Sequence, residues 1–375
     1  MSPRLAVIID NSLLLVGGTS AALIWANLHP ASYAHFAGTL RFAVNDVAMV
    51  FFFALAAKEI VEATLPGGAL ASRREAAVPL LAAAGGMIVP AALFASLAAA
   101  LGYRELLRGW AIPCATDIAF SYLTARLIFP LRHPAIPFLL LLAVADDALG
   151  LVVLAVFYPS HPVRLSLFAV LMLPAVITAW TFFRRRVTSF WPYVGVSGTL
   201  SWAAMFIGGL HPALALVPIV PFMPHEHSYH DLFDRTEPRP ADTLNRFAGW
   251  LRIPVQVILF FFGLVNAGVS VTSVGPATWF VTLALFIGKP VGILLSAALA
   301  VAAGLRMPGR LPAAQVFLVG VTAAIGFTVA LFFATAAFPP GRILDEAKMG
   351  ALLSFVAAPV AVALSRTLSQ GPRIE

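Results

Sequence analysis

Apolar stretches of roughly 18 to 25 residues, each long enough to cross about 30 Å of hydrocarbon as a helix, recur along the whole chain between short runs of Pro, Gly, Arg and Asp. Their order predicts spans near 6–28, 42–63, 76–101, 112–128, 136–158 and 166–183, and again near 192–208, 211–223, 254–271, 275–303, 314–338 and 347–368. The fold class is therefore all-α and polytopic, with about twelve transmembrane helices in one integral membrane domain over residues 1–375. No stretch is left over for a soluble domain.

Composition agrees, since hydrophobic residues fill 60% of the positions and charged residues only 11%, beyond what a soluble core requires. The formal charge of +7 changes the picture only through its placement. Arg73 and Arg74, Arg126 and Arg132, Arg184 to Arg186, the group from 235 to 252, and Arg306 with Arg310 fall in alternate loops, which reads as the cytoplasmic side. The opposite loops hold only Arg41, Arg104, Arg108, Arg164, Arg342 and Lys348. An even number of spans then places both termini in the cytoplasm. Basic residues scattered in this way are topology signals, and a nucleic-acid partner is excluded. The lone Cys114 rules out a disulfide framework, and Asp10 and Asn11 make the start a poor secretory signal, so the first span is retained. One long polar connection, PHEHSYHDLFDRTEPRPADTLNR, joins the eighth and ninth spans on the cytoplasmic side. Its His225, His227 and His230 read as a solvated loop rather than a metal site, with no cysteine or firm ligand spacing beside them.

An ionised side chain at the bilayer centre costs at least about 2.5 to 3.5 kcal/mol, so each one needs a reason. Asp117, Asp146, Asp147 and Lys289 are the four that stand out. Asp117 lies in IPCATDIAF, where Pro113 removes a backbone donor and Thr116 and Asp117 can bond the freed groups, which predicts an interrupted helix. Gly326 and Thr328, in AAIGFTVALFF, give a weaker sign of a second interruption. Asp146 and Asp147, in LLLLAVADDALG, project about 100° apart on a helix and can flank one cavity. A packing role alone does not call for two adjacent acids. Lys289, expected to be the only intramembrane cation, needs an acidic partner. Asp46 is placed near a span end, where a carboxylate is cheap, and His211 opens a span from the outside.

ATDIAF, DDALG, NAGVS, GKPVGI and IGFT, together with AAAGGMIVPA in the third span and GWAIP before the fourth, resemble the NhaA sodium/proton antiporters across nearly the whole chain. Interrupted segments in two parts of a chain are the pattern of transporters built from inverted repeats, that family among them. The resemblance implies an NhaA-like inverted-repeat fold with unwound fourth and eleventh helices. It also implies a cation- and proton-carrying pair in Asp146 and Asp147, with sodium held there. Lys289 matches the salt-bridge partner of Asp146. Thr116, Asp117 and Lys289, with Gly326 and Thr328 in the eleventh span, supply the helix breaks and supporting charge, while Asp46 and His211 match positions of pH response. The expected activity is secondary active exchange of sodium, with lithium as a further candidate, for protons across the inner membrane, in pH and sodium homeostasis. A sodium-coupled symporter of an organic solute on a related fold is the alternative. The expectation is not of an enzyme. No cofactor is implied, only the transported ions and the lipid bilayer.

Three places depart from the family pattern. The first connection, HPASYAHFAGTLR, is shorter than the usual one with its dimer-forming β-hairpin, so the expected state is a monomer or weak homodimer. KEIVEATLPGG follows the second span, and NRFAG leads into the ninth, where the family carries charged motifs associated with pH sensing.

Overall fold

The computed structural model describes residues 13–66, 68, 70, 73–225 and 242–368. Among the described residues every regular element is helical. The principal helices are α1 (Leu13–Leu28), α2 (Pro30–Thr64), α3 (Arg73–Ala100), α4 (Ile118–Ile128), α5 (Ala135–Phe157), α6 (Leu165–Arg184), α7 (Tyr193–Gly208), α8 (Thr243–Asn266), α9 (Pro276–Ala302), α10 (Ala313–Ala323), α11 (Phe327–Ala337) and α12 (Arg342–Thr367). Among the described residues seven helices are long and apolar enough to cross a membrane, and α10 with α11 makes an eighth as a span bent by 53°. The protein is a multi-pass membrane protein.

Several boundaries differ from those expected. Residues 211–223, read as the eighth span, form no α-helix but short 3₁₀ turns at Pro212–Leu214 and Val220–Phe222. Pro212, Pro218 and Pro221 remove backbone donors and restrict the residues before them, which a continuous α-helix does not tolerate. The connection read between the first two spans is itself helical: Pro30 sits at a helix start, where a missing N–H costs nothing, and α2 runs unbroken through 35 residues. Asp46 consequently lies inside α2, in a π-helical turn at Ala43–Ala48, rather than near a span end. NRFAG belongs to α8, whose first turn is capped by Asp242 accepting from the Asn245 amide at 2.7 Å. Lys348, expected in a loop, is buried within α12.

The chain divides into two compact units. One comprises residues up to 20, 34–72 and 151–265, and in it Gly18 of α1 meets the Phe260 carbonyl of α8 so closely that a Cβ would overlap it. The other comprises 21–33, 73–150 and 266 onward. Here Gly85 of α3 lies against the Gly292 carbonyl and Ser296 of α9, and Gly86 lies against Ile293, which explains the paired glycines of AAAGGMIVPA. Small residues let membrane helices approach closely where no hydrophobic force draws them together. That approach seats Lys289 of α9 in the interior of this second unit.

Candidate functional site

Two helix interruptions, both in the second unit, make the frame of the site. A 3₁₀ turn at Ile112–Cys114 gives way to extended backbone at Ala115, and α4 starts only after Asp117. The second break separates α10 from α11 at Ala324–Gly326. A broken membrane helix leaves amides and carbonyls that water cannot satisfy, so partners must come from the protein.

They come reciprocally. The Asp117 amide donates to the Ile325 carbonyl at 2.7 Å, the Thr116 hydroxyl to the Ala323 carbonyl at 3.1 Å, and the Ser121 hydroxyl to the Thr322 carbonyl at 2.8 Å. In return the Asp117 carboxylate accepts from the Thr328 amide at 3.2 Å, from the Thr328 hydroxyl, and from the Phe120 amide at 3.4 Å. One buried carboxylate thus caps the N-termini of both α4 and α11, where helix dipoles favour negative charge. Gly326 leaves room for the Ala115 carbonyl, 3.0 Å from where its Cβ would stand.

Lys289 answers the opposite pole. Its Nζ donates to the Cys114 carbonyl, at the end of the 3₁₀ turn, and to Asp146 Oδ2 at 2.9 Å. Lys289 is 0% exposed and Asp146 3% exposed. Two charges removed from water in this way hold together only with good geometry and further hydrogen bonds, and the Cys114 carbonyl supplies one. Asp146 Oδ1 is buried without a hydrogen bond of good geometry among the described residues, although the hydroxyl and amide of Thr116 approach the same carboxylate. Asp147, next along α5, is half-buried. Carboxylate oxygens, a threonine hydroxyl and backbone carbonyls are the kinds of donor a hard cation takes. The same oxygens take protons.

Thr116, Asp117, Asp146, Asp147, Lys289, Gly326 and Thr328 therefore all belong to one unit, and six of the seven are tied by the contacts above. Asp46 and His211 belong to the other unit. The Asp46 carbonyl accepts from Trp202 Nε1 at 2.8 Å, and buried His211 accepts from the Ala213 amide at 3.4 Å through Nδ1. His227, His230 and Asp10 lie outside the described residues. Among the described residues no cluster of three or more His, Cys, Asp or Glu could hold a metal ion.

Sequence reasoning passed over three features. Ser121 follows Asp117 by one helical turn, a spacing that could have marked it as serving the same break. Lys58 is buried and paired with Glu62 one turn on. Glu346 is buried inside α12, although its sequence neighbourhood reads as a charged loop.

Residues 5–365 match the family described as Na+/H+ antiporter 1. A protein named Na(+)/H(+) antiporter NhaA from Geobacter metallireducens is 48% identical over 368 residues, covering 95% of this chain and 96% of its own. Proteins of the same name from Geobacter sulfurreducens and Desulfitobacterium hafniense are 44% and 43% identical, the former covering 98% of this chain and 99% of its own, the latter 95% and 94%. The similar proteins carry an antiporter's name, and nothing among them supports the symporter alternative.

Proposed function

Because the chain belongs to the Na+/H+ antiporter 1 family, we propose that it exchanges sodium for protons across the inner membrane, with Asp146 and Asp147 carrying both ions. The observation that bears most weight is the buried Asp146 carboxylate, one oxygen on the Lys289 ammonium and the other without a well-formed hydrogen bond among the described residues, beside a second carboxylate and an interrupted helix. A carboxylate pair at this depth holds protons or a hard cation, not both at once. Competition for one set of oxygens becomes exchange when the occupied site can be presented to either face of the membrane and the empty, charged site cannot. The empty site stays in place because moving bare carboxylates through hydrocarbon is costly. Only O–H bonds to exchangeable protons and the coordination of the ion change, and no covalent bond between heavy atoms is made or broken, so the process calls on neither enzyme chemistry nor a cofactor.

Asp117 and Lys289 hold the frame. A negative charge at two helix starts and a positive charge at the preceding carbonyl end allow the half-helices to remain unwound near the ion. Both termini are assigned to the cytoplasm from the arginine-rich loops. The direct test is sodium-induced collapse of a pH gradient in everted vesicles, read with a fluorescent dye. Dequenching on adding sodium is expected, and no sodium response at any pH would overturn the assignment.

Lys289→Gln is expected to act through Asp146. Without the ammonium, a proton competes better against sodium for Asp146, so the exchange profile moves toward alkaline pH and half-maximal activity at neutral pH requires more sodium. Lys289→Arg keeps the charge and retains more activity, although guanidinium geometry differs from that of an ammonium. A double variant with Asp146→Asn should lose less than the two single losses combined, since partners in one interaction are coupled. Additive losses would contradict the pairing.

Self-association is expected to be weak. The first connection folds as a helix and no β-hairpin is present there. Light scattering on the purified protein should show dissociation on dilution in detergent, and a dimer that survives dilution would contradict the expectation.

A further inference from the structure

The start of α9 is capped from outside its own chain segment. Four amides at a helix N-terminus lack intrahelical partners. Gly275, the residue before the helix, has no side chain to offer them, and Pro276 has no N–H. The Ala277 amide instead donates to Oε2 of Glu346, a residue of α12, at 3.3 Å. Thr278, fully buried, accepts from the Gly275 amide at 3.2 Å and donates to the Glu346 carbonyl at 2.8 Å. Gly275 lies so close to the Glu346 carboxylate that a Cβ there would collide with it. One turn further along α12, Gly350 rests on the Thr278 carbonyl and Val281. Glu346 Oε1 meets Arg342 Nε at 2.7 Å, but the Arg342 side chain is 82% exposed and that pair is worth little.

Lys289 lies on the same helix, about 20 Å further along at 1.5 Å per residue. Between the two, a π-helical turn at Ala284–Gly288 ends on the residue before Lys289. A π turn changes the facing and the rise of whatever follows it, so the far side is set only if both flanks are held. The last residue of the turn, Gly288, lies against Pro90, and the flank beyond it is held by Pro290 against Gly320 and Gly292 against Gly85. The flank before it is held by Glu346, Thr278 and Gly350.

We infer that Glu346, through its cap on Ala277 and the Thr278 contact, is a positioning residue that fixes the axial setting of α9 and thereby the seat of the Lys289 ammonium between Cys114 and Asp146. This rests on the exchange site proposed above. Its role is mechanical rather than ionic: an oxygen acceptor is what the Ala277 amide requires, and a glutamine can supply one.

The test measures dye-reported exchange against sodium and pH in Glu346→Leu, Glu346→Gln, Thr278→Val, Arg342→Ala and Lys289→Gln. Glu346→Leu should raise half-maximal sodium at least fivefold and move the pH profile the same way as Lys289→Gln, with the rate at saturating sodium within twofold of wild type. Thr278→Val should shift in the same direction, and it carries the test if Glu346→Leu does not fold. Glu346→Gln and Arg342→Ala should stay within twofold of wild type. Added to Lys289→Gln, Glu346→Leu should shift nothing further. If Lys289→Gln is displaced while Glu346→Leu and Thr278→Val behave as wild type, the positioning role is overturned and the site stands. Loss in Arg342→Ala equal to that in Glu346→Leu would overturn the cap in favour of the ion pair. An unmoved Lys289→Gln would overturn the site assignment itself, and this inference with it.

Discussion

Asp147→Asn is expected to abolish sodium-dependent proton movement while the protein still inserts and folds. The substitution preserves the size of a half-buried side chain on α5 but removes the charge that a cation or a proton would neutralise. Its neighbour Asp146 is engaged with Lys289 at 2.9 Å, so the remaining carboxylate cannot supply the same charge at the same place. A loss of about 100-fold or more in exchange is expected, the equivalent of about 2.7 kcal/mol or more in ion binding. Vesicles with matched protein content give the exchange rate, and a thermal melt of the purified variant shows whether the fold persists. Near-normal exchange by a folded Asp147→Asn protein would contradict the assignment of the pair.

Asp117→Ala is expected to show the largest stability loss. Its carboxylate is the common acceptor for the Phe120 amide, the Thr328 amide and the Thr328 hydroxyl, all at depth in the second unit. Removing it strands two backbone amides where no water replaces the acceptor, and each stranded buried donor costs about 1–3 kcal/mol. A total loss of about 2–6 kcal/mol follows, with exchange falling alongside as the two half-helix starts lose their shared cap. Asp117→Asn keeps one acceptor oxygen and should lose distinctly less. Melting curves in detergent separate the two variants. Equal melting temperatures for wild type and Asp117→Ala would contradict the capping role.

The residues most visible in the sequence were those whose chemistry conflicts with their surroundings. Asp146 and Asp147 sit in a run of leucine, alanine and valine, where charge has no structural excuse, and the structure does bury Asp146 against Lys289. Asp117 was legible because Pro113 and Thr116 precede it, the composition of a broken helix. The crossing itself was not. That Thr116 and Ser121 serve the carbonyls of α10, and that Asp117 serves the amide of α11, depends on contacts about 200 positions apart in the chain, and no local pattern encodes them. Hydropathy misplaced Glu346 and Lys348 for a related reason: several polar residues in one turn lower the average and read as a loop, whereas helix packing can bury each beside its own partner. Residues 211–223 differ from expectation in conformation, being non-α-helical. They are apolar enough for a span, but three prolines set the backbone, and apolarity records only burial. The π turns at Ala43–Ala48, Tyr193–Gly198 and Ala284–Gly288 leave no compositional mark at all, although one of them sets the approach to Lys289.

The central claim is that sodium and protons compete for the same carboxylates, and proton release on sodium binding tests it most directly. Calorimetric titration of the purified protein with sodium near neutral pH, repeated in buffers of different protonation enthalpy, separates the heat of binding from the heat of released protons. The account predicts buffer-dependent heat in the wild type, signifying proton release coupled to sodium uptake, and none in the Asp146→Asn, Asp147→Asn double variant. Sodium binding to the wild type with the same heat in every buffer would contradict it.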